Sequence, residues 1–138
     1  MKKRLPPLLF AAYLAVILRI TVFRSGFGTH ALFTGTVNLT VFAAYLPLLQ
    51  SRDWGAFVYL FFGNIVWFVP FGFLLRRFGC SLPRTLLLGF ALSLAIETLQ
   101  FVFATGFSEL DDLILNTAGA CLGALAGKRP DDTERNDP

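Results

Sequence analysis

Four long apolar stretches, separated by short groups of charged residues, dominate the chain. They run over about 5–23, 55–75, 82–103 and 110–127. A helix needs about 20 apolar residues to cross the roughly 30 Å hydrocarbon core of a bilayer. Inside that core the backbone polar groups must be bonded within the protein, which a helix achieves by itself. The pattern therefore predicts an all-α membrane protein with four transmembrane helices, the last beginning in the turn at Ser108.

The segment between the first two spans is also apolar, and its charge context decides how it is interpreted. It reads ALFTGTVNLTVFAAYLPLLQ over residues 31–50. With four spans, most basic residues lie on the side of the N-terminus, as the positive-inside rule expects of the cytoplasmic side. A fifth span here would move Arg76, Arg77 and Arg84 to the outside. We therefore predict an interfacial or re-entrant segment on the outer side, which needs protein cover for its backbone.

Composition agrees with a membrane protein and gives little sign of other chemistry. Of the 138 residues, 55% are apolar and the mean hydropathy is +0.63, whereas soluble domains average about 45–50% apolar. The net charge of +3 lies mainly at the ends of spans, which fits topology and lipid headgroups better than nucleic acid. Two cysteines and one histidine without ligand spacing predict neither a metal site nor another cofactor. Residues 1–128 are expected to form one transmembrane domain with both termini cytoplasmic, and residues 129–138 a disordered tail.

Polar residues inside the spans converge on one depth. The residues that the four spans place in the same, outer half of the bilayer are Arg19, Asn64, Glu97, Gln100, Asp112 and Asn116. A carboxylate such as Glu97 costs a few kcal/mol at such a depth, so it is expected to face the interior of the bundle. Two interpretations stay open: a polar pocket that opens to the outer surface, or hydrogen bonds that merely hold the helices together. Arg19 could neutralise Glu97 or contact a phosphate.

The fourth span carries a run of small residues on one helical face. The sequence GACLGALAG places glycines at 119, 123 and 127, below Asp112 and Asn116 on the same face. Glycines at every fourth position let another backbone approach closely. Since a short loop joins the third and fourth spans, the third span is the predicted neighbour of this face, and Asp112 and Asn116 are expected to face it too.

The acidic residues before the fourth span have two explanations. SELD, residues 108–111, can form a helix cap with Ser108 at the N-cap position, and acids in a first turn favour the positive end of a helix. Capping would account for Glu109 and Asp111 without any function. Alternatively these acids belong to the pocket, and Asp111 is therefore kept as a candidate binding residue.

Four stretches of the chain occur together in a recognisable order and spacing: VNLTVF (37–42), FGNIVWFVPFGFLL (62–75), IETLQ (96–100) and DDLILNTAGACLG (111–123). In these the chain resembles the VanZ-like family of small bacterial membrane proteins. The resemblance implies a multi-pass protein of the bacterial cytoplasmic membrane, and the namesake of the family is associated with resistance to the lipoglycopeptide teicoplanin. Val41 stands where the family often has a proline, so the shape of the outer loop does not follow from the resemblance, and no catalytic residue is carried over.

Three functions from different classes fit these residues. The first is binding or transport of a cell-envelope lipid, a lipid-linked cell-wall precursor or a lipoglycopeptide. Its pocket would be made by Glu97, Gln100, Asp112, Asn116, Asn64, Arg19 and Asp111. The second is an accessory or structural subunit whose glycine face packs on a partner, or an oligomer. The third, which lacks a nucleophile–base pair, is a membrane enzyme of lipid or cell-wall metabolism, with Glu97 as general base or a divalent cation held by the acids at 109–112.

Overall fold

The computed structural model describes residues 5–24 and 26–128, and this part of the chain is mostly helical. Its elements, in chain order, are α1 (Leu5–Thr21), β1 (Thr36–Asn38), α2 (Tyr45–Gln50), α3 (Trp54–Arg77), α4 (Leu82–Phe103), β2 (Phe107–Glu109) and α5 (Leu110–Ala126). Helices α1, α3, α4 and α5 coincide with the four predicted apolar stretches, with ends that differ by at most two residues. The predicted tail at 129–138 lies outside the described residues.

Local signals explain where the two longest helices begin and end. The Asp53 side chain caps α3, with Oδ1 accepting the Ala56 N–H at 3.1 Å. The helix then continues through Pro70, which lies inside it. Helix α4 has a proline in its first turn, where the missing N–H costs nothing. It ends at Ala104, whose φ of +49° reverses the chain toward β2.

A face of glycines packs α5 along α3. Cβ atoms added to two glycines of α5 and to the glycine that follows it would collide with three carbonyl oxygens of α3 that lie one turn apart. The pairs are Gly119 with Ile65, Gly123 with Val69 and Gly127 with Phe73. The two backbones therefore touch, as small residues at every fourth position allow. The prediction that this face meets the third span, now α4, is wrong, because a short loop makes two helices neighbours in sequence without deciding which faces pack.

Helix α4 covers a different side of α5. A Cβ added to Gly89 of α4 would lie 2.6 Å from the Ala120 side chain. Helix α5 thus lies between α3 and α4, and its middle is fully buried, with Ala120 and Ala124 inaccessible. Helix α1 joins through the Tyr13 hydroxyl, which donates to the Trp67 carbonyl, and through Ile17 in the core.

The segment between α1 and α3 contains a strand that the all-α prediction missed. Strand β1 pairs in parallel with β2, with Val37 opposite Ser108. The backbone N–H groups of Phe33 and Gly35 donate to the carbonyls of Val102 and Phe101 at 2.8 and 3.1 Å. Runs of three residues carry no recognisable period in sequence, so neither strand was predicted. The pairing nevertheless supplies the protein cover that the backbone of this segment was expected to need.

Apolar side chains face outward around the bundle. Within the described residues, α3 and α4 are the two helices long and apolar enough to cross a membrane. Only 22% and 28% of their most apolar 18-residue segments are buried, whereas the core helix of a soluble protein hides its apolar side chains. Helices α1 and α5 have 17 residues each, or about 26 Å. An outward apolar surface is typical of a membrane protein, but the two long helices α3 and α4 are fewer than the four predicted spans.

Candidate functional site: a polar cavity at one end of the bundle

A cavity of about 370 Å³ lies at the end of the bundle where β1 pairs with β2, here called the cavity end. It is in the usual size range of small-molecule sites. Five of the seven predicted binding residues line it: Asn64, Glu97, Gln100, Asp112 and Asn116. They come from α3, α4 and α5, so residues far apart in sequence meet around one space. The remaining lining residues are Ile17, Ile20, Thr21, Arg24, Ala44, Tyr45, Tyr59, Leu60, Trp67, Phe68, Ile96 and Glu109.

The α4 wall of the cavity is formed by a buried polar face. Ser93, Glu97 and Gln100 are all buried, and Glu97 is only 5% exposed, which confirms that this face points to the interior of the bundle. Glu97 Oε2 accepts the backbone N–H of Glu109 at 2.9 Å, so the carboxylate holds the strand that precedes α5. Gln100 Nε2 donates to the Thr21 carbonyl at 3.2 Å, which ties α4 to the end of α1.

The α5 wall divides its polar residues between two neighbours. Asn64 Nδ2 of α3 donates to Asp112 Oδ1 at 2.5 Å. One turn further along α5, Asn116 Nδ2 donates instead to Ser93 Oγ of α4 at 2.9 Å. The prediction that both residues face the same helix as the glycines therefore holds for Asp112 and fails for Asn116. The prediction that both face the third span, α4, is confirmed for Asn116 and wrong for Asp112. Both residues also line the cavity.

Arg19 does not reach the cavity, and Arg24 does. Arg19 is exposed and donates to the Phe23 carbonyl, near the end of its own helix. Arg24 lies just beyond α1, lines the cavity and donates from Nε to the Thr105 carbonyl. Its guanidinium packs where a Cβ on Gly106 would stand, so a glycine in this turn makes room for it. The sequence offered no signal for Arg24 beyond its place at the end of the span.

Asp111 is a structural residue outside the cavity. It is 1% exposed, and its Oδ1 accepts the Phe42 N–H at 2.8 Å, which holds the turn before α2. The Ser108 cap is also wrong: Ser108 lies in β2, and Glu109 occupies the N-cap position without a side-chain capping bond. The Glu109 side chain instead lines the cavity, where its Oε1 accepts from Asn38 Nδ2 at 3.4 Å. Asp111 does lie in the first turn of α5, where an acid favours the positive helix end as predicted, whereas Glu109 precedes the helix.

Tyr45 is a lining residue that the sequence did not mark. It begins α2, is 3% exposed and separates the polar cavity from a neighbouring apolar groove. Burial, followed by the negative charge of Asp112 and then that of Asp111, raises the pKa of Tyr45 to about 12. The phenol therefore stays protonated at neutral pH and can donate a hydrogen bond. The groove has a volume of about 280 Å³ and an entirely apolar lining: Phe42, Tyr45, Leu46, Leu49, Phe57 and Phe61.

The mouth of the cavity faces sideways, between α1 and α3. Ile20 of α1 and Leu60 and Trp67 of α3 line the cavity and are each at least 40% exposed. Tyr59 beside them is 78% exposed. The interior is polar while these rim residues are largely apolar, so the site suits a ligand that presents both kinds of surface.

The cavity offers hydrogen bonding and charge rather than a metal centre. Three carboxylates, from Glu97, Glu109 and Asp112, line it together with the guanidinium of Arg24. Among the residues that the structure describes, no group of three His, Cys, Asp or Glu could hold a metal ion. The interpretation of the acids at 109–112 as a cation site also fails on geometry, since Asp111 points to the turn before α2.

Fold and site together define a helical protein with an apolar outer surface and a polar cavity reached from its side. Comparison with known proteins gives the family. The sequence model of VanZ/LLP1 matches residues 10–128, and the chain is 32% identical over 122 residues to protein VanZ of Enterococcus faecium, covering 83% of this chain and 68% of VanZ. The chain belongs to the VanZ family, which confirms the resemblance. No solved structure matches it.

Proposed function

We propose that this protein binds the headgroup of a cell-envelope amphiphile in the polar cavity, within the outer leaflet of the bacterial cytoplasmic membrane. The observation that carries the proposal is the convergence of Asn64, Glu97, Gln100, Asp112 and Asn116 on one cavity. Interhelical bonds alone need pairs of polar groups and no empty space between them. A cavity of about 370 Å³ admits a headgroup or a sugar-sized fragment.

The charge distribution supports the orientation. Arg76, Arg77, Arg84 and Lys128 gather at the opposite end of the bundle, here called the basic end. Basic residues beside spans stay on the cytoplasmic side. In this arrangement α1, α3, α4 and α5 all cross the membrane, both termini are cytoplasmic, and the cavity opens within the outer half of the bilayer.

The surroundings of the cavity favour a lipid over a water-soluble ligand. The exposed rim residues Ile20, Leu60 and Trp67 would meet hydrocarbon, so a lipid could slide its headgroup sideways between α1 and α3. Tyr45 also lines the apolar groove, which offers space for a hydrocarbon chain beside the headgroup site. An amphiphile would thereby satisfy both surfaces at once.

Photo-crosslinking tests this proposal. The protein is reconstituted into lipid nanodiscs that contain a phospholipid with a photoreactive group near its headgroup. We expect labelling concentrated on residues 17–24 and 59–67, which flank the mouth. Glu97→Gln should reduce labelling severalfold at unchanged protein yield, because it removes a carboxyl group from the cavity wall. Thr98→Ala is the matched control, since Thr98 is exposed and bonds only to Leu94 of its own helix. Labelling spread evenly around the bundle would contradict the proposal.

The family supports one particular ligand class, the lipoglycopeptides. Teicoplanin resistance is associated with the namesake of the family, and the acyl chain of such a compound would fit the groove while a polar part enters the cavity. Expression in a susceptible host should then raise the inhibitory concentration of teicoplanin, and Glu97→Gln should abolish the gain. A glycopeptide without an acyl chain is the control. Equal protection against both compounds would argue against recognition of the chain.

The alternative of an accessory subunit loses its main support. That interpretation relied on a glycine face free to pack on a partner, whereas Gly119, Gly123 and Gly127 pack on α3 of the same chain. A partner would have to use another surface. Purification that yields one stoichiometric partner would revive this alternative.

A further inference from the structure

The cavity holds opposite charges apart. Glu97, Glu109 and Asp112 contribute carboxylates, and Arg24 contributes a guanidinium beside the exposed mouth. Within the described residues none of these carboxylates forms an ion pair with Arg24, whose Nε is bound to the Thr105 carbonyl. A protein that only needed to neutralise its buried acids would bring the charges together. Because the charges are separated around a shared space, a ligand that carries both a positive and a negative group would complement them.

An unpartnered buried acceptor gives an independent indication of the missing group. Gln100 lines the cavity and is only 8% exposed. Its Nε2 is bound to Thr21, but in the described part of the chain its Oε1 has no hydrogen-bond partner and is buried. A buried acceptor without a donor destabilises the protein, so a ligand that supplies the donor would be favoured. Three carboxylates line the same cavity, so this part of the site is rich in acceptors.

We propose that the bound headgroup carries a protonated primary amine next to an anionic group. This inference rests on the proposed function and names the chemistry of its ligand. An ammonium group has three N–H donors and one positive charge. It can therefore donate hydrogen bonds to the carboxylates and to Gln100 Oε1, which has no donor among the described residues. The anionic group, a phosphate or a carboxylate, meets the Arg24 guanidinium, which lines the same cavity. A purely anionic headgroup would leave the acidic wall unpaired and add repulsion.

Quenching by brominated lipids tests the inference directly. Trp67 lies on the rim, so a Trp54→Phe variant carries one tryptophan at the mouth. It is placed in phosphatidylcholine vesicles that contain phosphatidylethanolamine, phosphatidylglycerol or phosphatidylcholine with brominated chains. We expect phosphatidylethanolamine to bind near Trp67 about tenfold more strongly than the other two, as one charge-assisted hydrogen bond allows. The converse variant, Trp67→Phe, reports lipid near Trp54 and should show no such preference.

Charge-removing variants link the preference to the cavity. Glu109→Gln and Asp112→Asn keep the size of each side chain and should each reduce the preference for phosphatidylethanolamine severalfold. Asp53→Asn is the control, because Asp53 caps α3 at the same end of the bundle and does not line the cavity. A preference that survives both substitutions would overturn the assignment of the amine to this wall.

The outcomes separate this inference from the proposed function. Stronger binding of phosphatidylglycerol, or equal binding of phosphatidylcholine, would overturn the amine and leave headgroup binding in place. Quenching of Trp67 that matches that of Trp54 for every lipid would overturn both. Glycerophosphoethanolamine, the headgroup without chains, should not displace the lipid at equal concentration. Displacement would assign the site to a water-soluble amine instead.

Discussion

The two halves of α5 meet their neighbours in opposite ways. In the half nearer the cavity, Asp112 and Asn116 reach out to different helices through side-chain hydrogen bonds. In the other half, Gly119, Gly123 and Gly127 bring the backbone of α5 onto that of α3. Side chains long enough to bond across a gap keep helices apart, whereas glycines let them touch. The same helix thus closes the bundle at the basic end and opens a cavity at the other.

The largest effect is expected in the closed half. In Gly123→Ala, the new Cβ would lie 2.8 Å from the Val69 carbonyl carbon and 2.9 Å from the Phe73 nitrogen. Backbone atoms cannot move aside as a side chain can, so we expect the free energy of unfolding to fall by about 1–3 kcal/mol or more. Unfolding in mixed detergent measures it.

The control for this substitution lies on the partner helix. Gly63→Ala adds the same atom to α3 where nothing lies within 4 Å. It should be neutral or stabilise by up to about 1 kcal/mol, because alanine favours a helix. Equal destabilisation by both variants would show that the glycines matter for backbone conformation rather than for contact.

Loss of the Asp111 carboxylate should loosen the segment between α1 and α3. Asp111→Ala removes the acceptor of the Phe42 N–H. Hydrogen exchange at Phe42 should become about tenfold faster, because a tenfold change corresponds to about 1.4 kcal/mol, the strength of one hydrogen bond. In Asp53→Ala, by contrast, exchange should change at Ala56 and not at Phe42, since that side chain caps α3. Unchanged exchange at Phe42 in Asp111→Ala would contradict the assigned role.

In the half of α5 nearer the cavity, the hydrogen bond between Asn64 and Asp112 should contribute modestly to stability. A double-mutant cycle with Asn64→Ala and Asp112→Ala is expected to give a coupling energy of about 1 kcal/mol, typical of bonds between membrane helices. The same cycle between Asn64 and Asn116 should give a value near zero, because Asn116 bonds to Ser93. Strong coupling in the second pair would mean that the polar residues form one network rather than two separate bonds.

The smallest expected change in stability concerns Arg19 and Arg24, which should differ in their effect on lipid binding. Arg19→Gln should change stability by less than about 0.5 kcal/mol and leave lipid binding intact, because Arg19 is exposed and does not line the cavity. Arg24→Gln should weaken lipid binding without a comparable loss of stability. Lipid retained after detergent extraction measures both. Weaker retention in Arg19→Gln than in Arg24→Gln would restore the role first predicted for Arg19.

Much of this arrangement followed from periodicity. Helix positions repeat every 3.6 residues, so Ser93, Glu97 and Gln100 could be assigned to one face, and the cost of an exposed carboxylate in hydrocarbon predicted that the face is buried. Matching positions along antiparallel spans then predicted that Asn64, Asp112 and Asn116 lie at one end. Both arguments use only local geometry and the bilayer.

Choices between neighbours did not follow from the sequence. The glycine face of α5 suits any close partner, and only the packing of all helices selects α3 rather than α4. Arg19 and Arg24 lie five residues apart, so the exact end of α1 decides which guanidinium reaches the cavity. The β1–β2 pairing and the cavity-facing side chain of Glu109 depend on contacts between distant residues, which no local period records.

An experimental structure in lipid tests the central claim most directly. We expect non-protein density between α1, α3, α4 and α5, beside Asn64 and Glu97 and opening toward Trp67. The glycine half of α5 should show α3 in direct contact and no such density. A bundle whose polar half is as closed as its glycine half, with side chains filling the cavity and lipid only on the outer surface, would contradict the account.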